Sequence, residues 1–137
     1  MRIYLAASYS RRLEVEARAL EVWALTGHIV ASTWHDGHHE SRPGIDQDGT
    51  EAERAMWAKE DLSDIGRTEL LILCADLGSS GDVERGGHHF EAGYALAFGC
   101  RLAVVGQSSN VFYALPEIQR YESWPGLLHA LEQDKYP

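Results

Sequence analysis

The chain has 137 residues, 45% of them hydrophobic and 24% charged, which is the balance of one soluble globular domain that needs no disulfide bonds. Its net charge of -9, from 12 Lys and Arg against 21 Asp and Glu, argues against a nucleic acid polymer as partner, because such proteins present a basic face. No apolar run approaches the roughly 20 residues of a membrane span, and the start MRIYLAAS turns polar too early for a signal peptide, so we expect a cytoplasmic protein that contacts no membrane.

The first third of the chain predicts two strands around a helix, followed by a polar loop. Residues 2–6 (RIYLA) form a short apolar run, and residues 28–32 form a second strand candidate. Between them, apolar residues at helical spacing predict a helix over residues 11–25, which Gly27 is placed to end. That apolar stripe consists of Leu13, Ala17, Leu20 and Ala24. Residues 35–50 are rich in Gly, His and Asp and predict a long loop of the kind that is often functional.

The middle of the chain predicts two further helices, over residues 51–65 and 88–98, with a strand between them. The buried side of the first of these helices is expected to consist of Ala55, Met56, Leu62 and Ile65. The strand, residues 70–74 (LLILC), is apolar throughout, which is typical of a sheet covered on both faces. Cys74 and Cys100 adjoin apolar runs, so we expect two buried thiols in a reducing compartment rather than a disulfide.

The last third of the chain predicts a strand over residues 101–105, a short helix over 111–115, an extended segment at 118–121 and a final helix over 125–132. Strands thus alternate with helices throughout. The expected fold is α/β, a doubly wound parallel five-stranded sheet with helices on both faces, flavodoxin-like or Rossmann-like, in a single domain over residues 1–137.

Ligands of such sheets bind beyond the carboxyl ends of the strands, which makes the loops at residues 7–10, 34–49 and 76–87 the candidate site. The first loop opens a helix, where hydroxyl groups and backbone N–H groups suit an anion or another substrate group. Its candidate binding residues are Ala7, Ser8, Ser10 and Arg11. The alternative is that Ser8 or Ser10 only caps the helix.

Glu91 lies near the start of the helix that follows the glycine-rich loop. A carboxylate there can be aimed into the crevice while the helix holds its backbone. From position alone, the simpler interpretation is an acid that the helix dipole favours in a first turn.

The segment GGHHFEAGYALAFG (residues 86–99) resembles the signature of the nucleoside 2-deoxyribosyltransferase-like family, which includes the related deoxynucleoside 5′-monophosphate N-glycosidases. The resemblance extends over about residues 2–116 and implies that Glu91 is the nucleophile. By the same resemblance, Asp61 in the run KEDL is an acid that contacts the substrate, and Asn110 reaches the active site of a neighbouring subunit.

The reaction implied by the resemblance is cleavage of the N-glycosidic bond of 2′-deoxyribonucleosides or their 5′-monophosphates. It passes through a covalent glycosyl-Glu91 intermediate, and the deoxyribosyl group is transferred to an acceptor base. With water as acceptor the enzyme is an N-glycosidase, and a non-catalytic nucleotide-binding module is a further alternative. The expected partners are a small-molecule nucleoside or nucleotide and further copies of the chain in a homodimer or higher homo-oligomer, without a cofactor.

Further residues receive expected roles from this interpretation. The run ASYS resembles the family's first substrate-holding loop, in which Tyr9 orients Glu91, stacks near the sugar or is an ordinary core aromatic. Trp34 forms an apolar wall against a base or packs in the core. Other expected substrate contacts are Gly86, Gly87 and His89.

The loop before Glu91 departs from the compact pattern of the family, because the run GDVERGGHH is longer. The acid that assists Glu91 therefore stays open among Asp61, Asp82 and Glu84. Arg85 is a candidate, with the serines and Arg11 of the first loop, for binding a 5′-phosphate, and such a site favours the hydrolytic alternative.

The histidines form a last candidate cluster. Residues 35–40 (HDGHHE) include the residue types of a metal site, but they lack the spacing of a zinc-binding HExxH helix. We therefore expect no metal, and we expect these histidines to contact the base or the phosphate.

Overall fold

The structure of the protein is a computed structural model, which describes residues 1–39, 49–78 and 86–133. Within these residues, five strands form one parallel sheet in the order β2-β1-β3-β4-β5. The strands are β1 (Arg2–Ala6), β2 (Ile29–Val30), β3 (Leu70–Cys74), β4 (Arg101–Val105) and β5 (Gln119–Tyr121). The predicted doubly wound parallel sheet is confirmed.

Helices cover both faces of this sheet. They are α1 (Arg12–Thr26), α2 (Glu51–Gly66), α3 (Gly87–Ala97) and α4 (Trp124–Glu132). Helix α1 packs against α4, and α2 packs against α3. Among the helices described, none is long and apolar enough to cross a membrane. The chain connections leave β1 and β3 in opposite directions across the sheet, and in α/β sheets ligands bind at such a switch point.

Helix ends follow from local residues. Helix α1 ends at Gly27, which adopts the left-handed conformation (φ 72°) that a residue with a Cβ disfavours. Helix α2 begins with a capping box, in which the Thr50 side chain accepts from the Glu53 backbone N–H and the Glu53 side chain accepts from that of Thr50. These devices place the helix ends close to where the sequence predicts them.

The predicted buried faces of α1 and α2 need correction. In α1, Leu13 and Leu20 are 75% and 62% exposed, and the buried residues are Val15 and Val22. Ala17 and Ala24 are exposed as well. In α2, Ala55 and Met56 are exposed, whereas Trp57 and Ile65 are buried. More than one stripe in each helix has helical spacing, so contact with the sheet decides which one is buried.

The core lies on both sides of β1 and β3. Every residue of β3 is buried, as its unbroken apolar sequence predicts. The edge strand β2 has only two residues instead of the predicted five, because it pairs with β1 alone, through Arg2 with Ile29 and Ile3 with Val30. Cys74 is buried and Cys100 is partly buried, and both are free thiols.

Candidate active site

Helix α3 carries Glu91, whose side chain reaches Tyr4 in β1. The helix starts after Gly86, which adopts the left-handed conformation (φ 74°). Gly87 is its first residue, which puts Glu91 in the second turn, and the first turn contains no acid. The helix dipole acts mainly within the first turn, so it does not explain the position of Glu91.

Tyr4 holds the Glu91 carboxylate. It lies in the middle of β1, is fully buried, and its hydroxyl donates a hydrogen bond to Glu91 Oε2. Burial, and then the negative charge of Glu91, raise the pKa of Tyr4 well above its usual value, so the phenol keeps its proton and stays a donor. The sequence analysis missed Tyr4 because it lies within an apolar strand. Its signal was the hydroxyl itself, which needs a partner when buried.

Two carboxyl groups with raised pKa values meet at this point. Burial raises the pKa of Glu91 to about 8, the charge of Asp61 raises it as well, and the hydrogen bond from Tyr4 acts in the opposite direction. Burial also raises the pKa of Asp61 to about 7, with contributions from Asp64 and Glu60. Both carboxyl groups therefore hold protons more tightly than usual near neutral pH, and the pKa of Glu91 is raised further than that of Asp61.

The two aspartates of α2, Asp61 and Asp64, differ in their contacts. Asp64 is buried and satisfied, since Oδ2 accepts from Thr33 Oγ1 at 2.8 Å and Oδ1 from Arg67 at 2.5 Å. Asp61 Oδ1, in contrast, is buried without a hydrogen-bond partner among the described residues. Asp64 is therefore explained by structure alone, whereas Asp61 has an oxygen left for a ligand.

A cavity of about 290 Å³ opens beside the start of α3, at the carboxyl ends of the strands. It is lined by residues from four segments: Ser8, Leu73, Cys74, Ala75, Gly78, His88, His89, Gln107, Ser108, Ser109 and Asn110. Three predicted binding residues, Ser8, His89 and Asn110, thus come together here. Glu91 lies one turn further along α3 and is half-buried.

The two serines of the first loop do not cap a helix. Ser8 and Ser10 place their hydroxyl oxygens 3.0 Å apart, and neither the short 3₁₀ turn at Tyr9–Arg11 nor α1 has a side-chain cap. The capping alternative is therefore not what the structure contains. Arg11 forms an ion pair with Glu14 at 3.3 Å.

The remaining predicted residues of the first two loops are partly in the core. Ala7 is 7% exposed, and Trp34 is 4% exposed and donates from Nε1 to the Leu5 carbonyl at 2.7 Å. Trp34 is thus a core residue rather than a wall that a base could reach. Tyr9 lies over it with ring centroids 6.1 Å apart, and the guanidinium of Arg12 lies 5.1 Å from the Tyr9 ring.

His89 and Asn110 are both fixed near the cavity. His89 Nδ1 lies 2.7 Å from the Tyr113 hydroxyl, and Asn110 Oδ1 accepts from the Phe112 backbone N–H at 3.0 Å. Asn110 therefore lines the cavity of its own chain. The candidates Asp82, Glu84 and Arg85 lie outside the described residues.

The raised pKa of Glu91 makes a prediction about stability. A carboxyl group with a usual pKa of 4.5 and a folded pKa of about 8 stabilises the folded state fully below pH 4.5 and loses that contribution as the pH rises through 8. Glu91→Gln should therefore be more stable than the wild type at about pH 9, by on the order of 2 kcal/mol, with the difference shrinking towards about pH 5. Urea unfolding at both pH values measures this. The exposed Glu117→Gln is the control, and a Glu91→Gln difference independent of pH would contradict the prediction.

Comparison with known proteins identifies the fold. No family model matches the chain, and no curated protein matches it. Among solved structures, the CMP N-glycosidase BcmB of Clostridium botulinum is similar, with a TM-score of 0.56 and 18% sequence identity over 97% of this chain and 99% of that one. The family resemblance of the sequence is thereby confirmed at the level of the fold.

Proposed function

We propose that the protein cleaves the N-glycosidic bond of nucleoside 5′-monophosphates, with Glu91 attacking the anomeric carbon of the sugar. The observation that carries this proposal is the Glu91 carboxylate, which Tyr4 holds by a hydrogen bond and whose pKa is raised by the charge of Asp61, while Asp61 Oδ1 has no hydrogen-bond partner among the described residues. The fold that the chain shares with a CMP N-glycosidase supports it. Residues 1–137 then form a single domain of the nucleoside 2-deoxyribosyltransferase-like family.

Glu91 supplies the nucleophile in the first step. Departure of the base leaves an oxocarbenium-like sugar, and a carboxylate on the opposite face stabilises this charge and forms an ester with the anomeric carbon. The hydrogen bond from Tyr4 fixes the position of Glu91 Oε2 and favours the ionised form of Glu91. Since burial raises the pKa of Glu91 to about 8, Glu91 must give up its proton, to Asp61 or to solvent, before it attacks. Positive charge that develops on the sugar favours this ionised form.

Asp61 supplies the proton. With a pKa raised to about 7, its carboxyl group can give a proton to the departing base near neutral pH. The bond between carbon and the base nitrogen then breaks while the bond to Glu91 forms. In the second step Asp61 takes a proton from water, the water oxygen attacks the sugar carbon, and the ester to Glu91 breaks. The products are a free base and a pentose 5-phosphate.

The cavity beside α3 is suited to the phosphate of such a substrate. Its lining combines the hydroxyl groups of Ser8, Ser108 and Ser109 with His88 and His89 at the start of the helix. Hydroxyl groups and a helix N-terminus favour an anion. A phosphate anchored there leaves the sugar to lie towards Glu91 on the next turn.

A product assay tests the proposal. The protein is incubated with ribonucleoside and deoxyribonucleoside 5′-monophosphates and with the matching nucleosides, each with and without a free acceptor base. We expect free base and pentose 5-phosphate from the monophosphates. Exchange of bases without net loss of nucleotide would identify the transferase instead. Ligand binding without turnover on any of these compounds would identify a non-catalytic module and contradict the proposal.

We also propose that the chain forms a homo-oligomer through the apolar surface next to the cavity. Phe90, Val111 and Phe112 are 68%, 74% and 69% exposed, and the hydrogen bond between Tyr113 and His89 brings their two segments together. Large exposed apolar groups of this kind mark interfaces. We expect a dimer or larger assembly in sedimentation at micromolar concentration, which Phe112→Ser weakens. A monomeric wild type would contradict this.

Tyr4→Phe tests the role of the buried hydroxyl. Loss of a hydrogen bond to a charged group costs about 1.5–3 kcal/mol, so kcat/KM should fall about 10-fold to 100-fold. The acidic limb of the pH profile should move to higher pH, because the lost hydrogen bond held the pKa of Glu91 down. Tyr121→Phe is the matched control, since its hydroxyl donates to Gln119 at 3.2 Å. An unchanged rate and profile in Tyr4→Phe would show that Tyr4 does not assist Glu91.

A further inference from the structure

His38, His39 and Glu60 of helix α2 form a second cluster, which adjoins the proposed acid, since His39 Nε2 lies 3.9 Å from Asp61 Oδ1. His38 Nε2 lies 2.6 Å from Glu60 Oε2, and His39 Nε2 lies 3.2 Å from the same oxygen. One ligand atom from each residue falls within 4.8 Å of the others. Two imidazoles and a carboxylate are a common donor set for Zn²⁺.

We propose that His38, His39 and Glu60 bind a divalent transition-metal ion, with Zn²⁺ as the best match. This goes beyond the proposed function, which has no step that uses a metal. Ligands at about 2.0–2.1 Å from a tetrahedral Zn²⁺ are roughly 3.3 Å from one another. The observed distances of 2.6 and 3.2 Å from Glu60 Oε2 need only a small widening to admit the ion.

Asp36 prepares His38 to act as a ligand. The Asp36 Oδ1 atom contacts His38 Nδ1 and also accepts from the His38 backbone N–H at 3.0 Å. A proton held on Nδ1 leaves Nε2 as the nitrogen that faces Glu60. A carboxylate behind a histidine ligand is a usual support in zinc sites, since it fixes the tautomer and the ring orientation.

His39 is held by burial and stacking. Its side chain is fully buried, and its ring stacks on Trp57 with centroids 5.4 Å apart and planes 25° apart. His38 and Glu60 are partly exposed and line a cleft of about 540 Å³, which gives an ion access from solvent. Three protein ligands leave a coordination position for water. A bound ion would tie the loop after the 3₁₀ turn at Trp34–Asp36 to α2.

Metal titration tests this site. The chelator-treated protein is titrated with Zn²⁺, and binding is measured by calorimetry. It is also titrated with Co²⁺ and followed by visible absorption, because the absorption of four-coordinate Co²⁺ depends on its ligands. We expect one high-affinity ion per chain. His38→Ala and Glu60→Gln should each weaken binding by more than 10-fold, and Asp36→Asn by about 10-fold. The exposed His129→Ala is the matched control and should bind as the wild type does.

Thermal stability is measured in the same samples. Zn²⁺ should raise the melting temperature of the wild type and of His129→Ala, but not of Glu60→Gln. Glu60→Gln keeps the size of the side chain, so it still tests the metal site if His38→Ala fails to fold. Absence of saturable binding to the wild type, or equal affinity in Glu60→Gln, would overturn the proposal and leave a cluster held by hydrogen bonds alone.

Discussion

Glu91→Gln should lower the rate of base release from a nucleoside 5′-monophosphate by roughly 10⁴-fold, because it removes the atom that attacks the sugar. Glutamine has nearly the same shape and its amide oxygen can still accept the hydrogen bond from Tyr4. The variant should therefore fold and bind nucleotide as the wild type does. Its defect should lie in kcat and not in KM.

The control for this prediction is Glu117→Gln, which makes the same chemical change at an exposed position. Its rate should equal that of the wild type. Single-turnover measurements with both variants separate chemistry from product release. If Glu91→Gln kept more than about a tenth of the wild-type rate, Glu91 would not be the nucleophile.

Asp61→Asn should lower the rate by about 10²-fold to 10⁴-fold, which is the usual contribution of a positioned general acid. Asparagine cannot protonate a departing base, so the alkaline limb of the pH profile that an acid with a pKa of about 7 produces should disappear. An N7-methylated purine nucleotide offers a direct check. Its base is already positively charged and departs without a proton, so in a single turnover Asp61→Asn should release this base at close to the wild-type rate, whereas the later attack of water still needs Asp61.

Asp64→Asn provides the matched control, because Asp64 is in the same helix but is paired with Thr33 and Arg67. It should lower the melting temperature and keep the alkaline limb, but move that limb to lower pH, because the negative charge of Asp64 helps to raise the pKa of Asp61. If Asp61→Asn slowed cleavage of the methylated and ordinary substrates equally, Asp61 would be a binding or positioning residue and not the acid.

The fold could be predicted from local signals to within a few residues. The apolar run of β3 predicts a buried strand, and the glycine after α1 predicts the end of that helix. Both predictions agree with the structure. The buried faces of α1 could not be predicted. Leu13 and Val15 both belong to stripes with helical spacing, and only the sheet determines which stripe is buried.

The candidate site could be predicted only in part. Resemblance, and not local physics, drew attention to Glu91, since the helix dipole would favour an acid one turn earlier. The contact between Tyr4 and Glu91 joins residues 87 positions apart. No periodicity or motif in β1 reveals such a contact, because it depends on the way α3 crosses the sheet.

The cluster around Glu60 shows the same limit for polar residues. The sequence analysis noted the residue types of a metal site in residues 35–40 but expected no metal, and the carboxylate partner of His39 is 21 positions away, in α2. Spacing along the chain therefore could not reveal the third ligand. Tertiary structure brings the three side chains together.

The most direct test of the central claim is to trap the sugar on Glu91. The protein is mixed with a slowly reacting 2′-fluoro nucleoside 5′-monophosphate, quenched in acid, digested and analysed by mass spectrometry. We expect a pentose phosphate adduct on the peptide that contains Glu91, and none in Glu91→Gln. Release of base with Glu91 unmodified, or an adduct on another residue, would contradict Glu91 as the nucleophile.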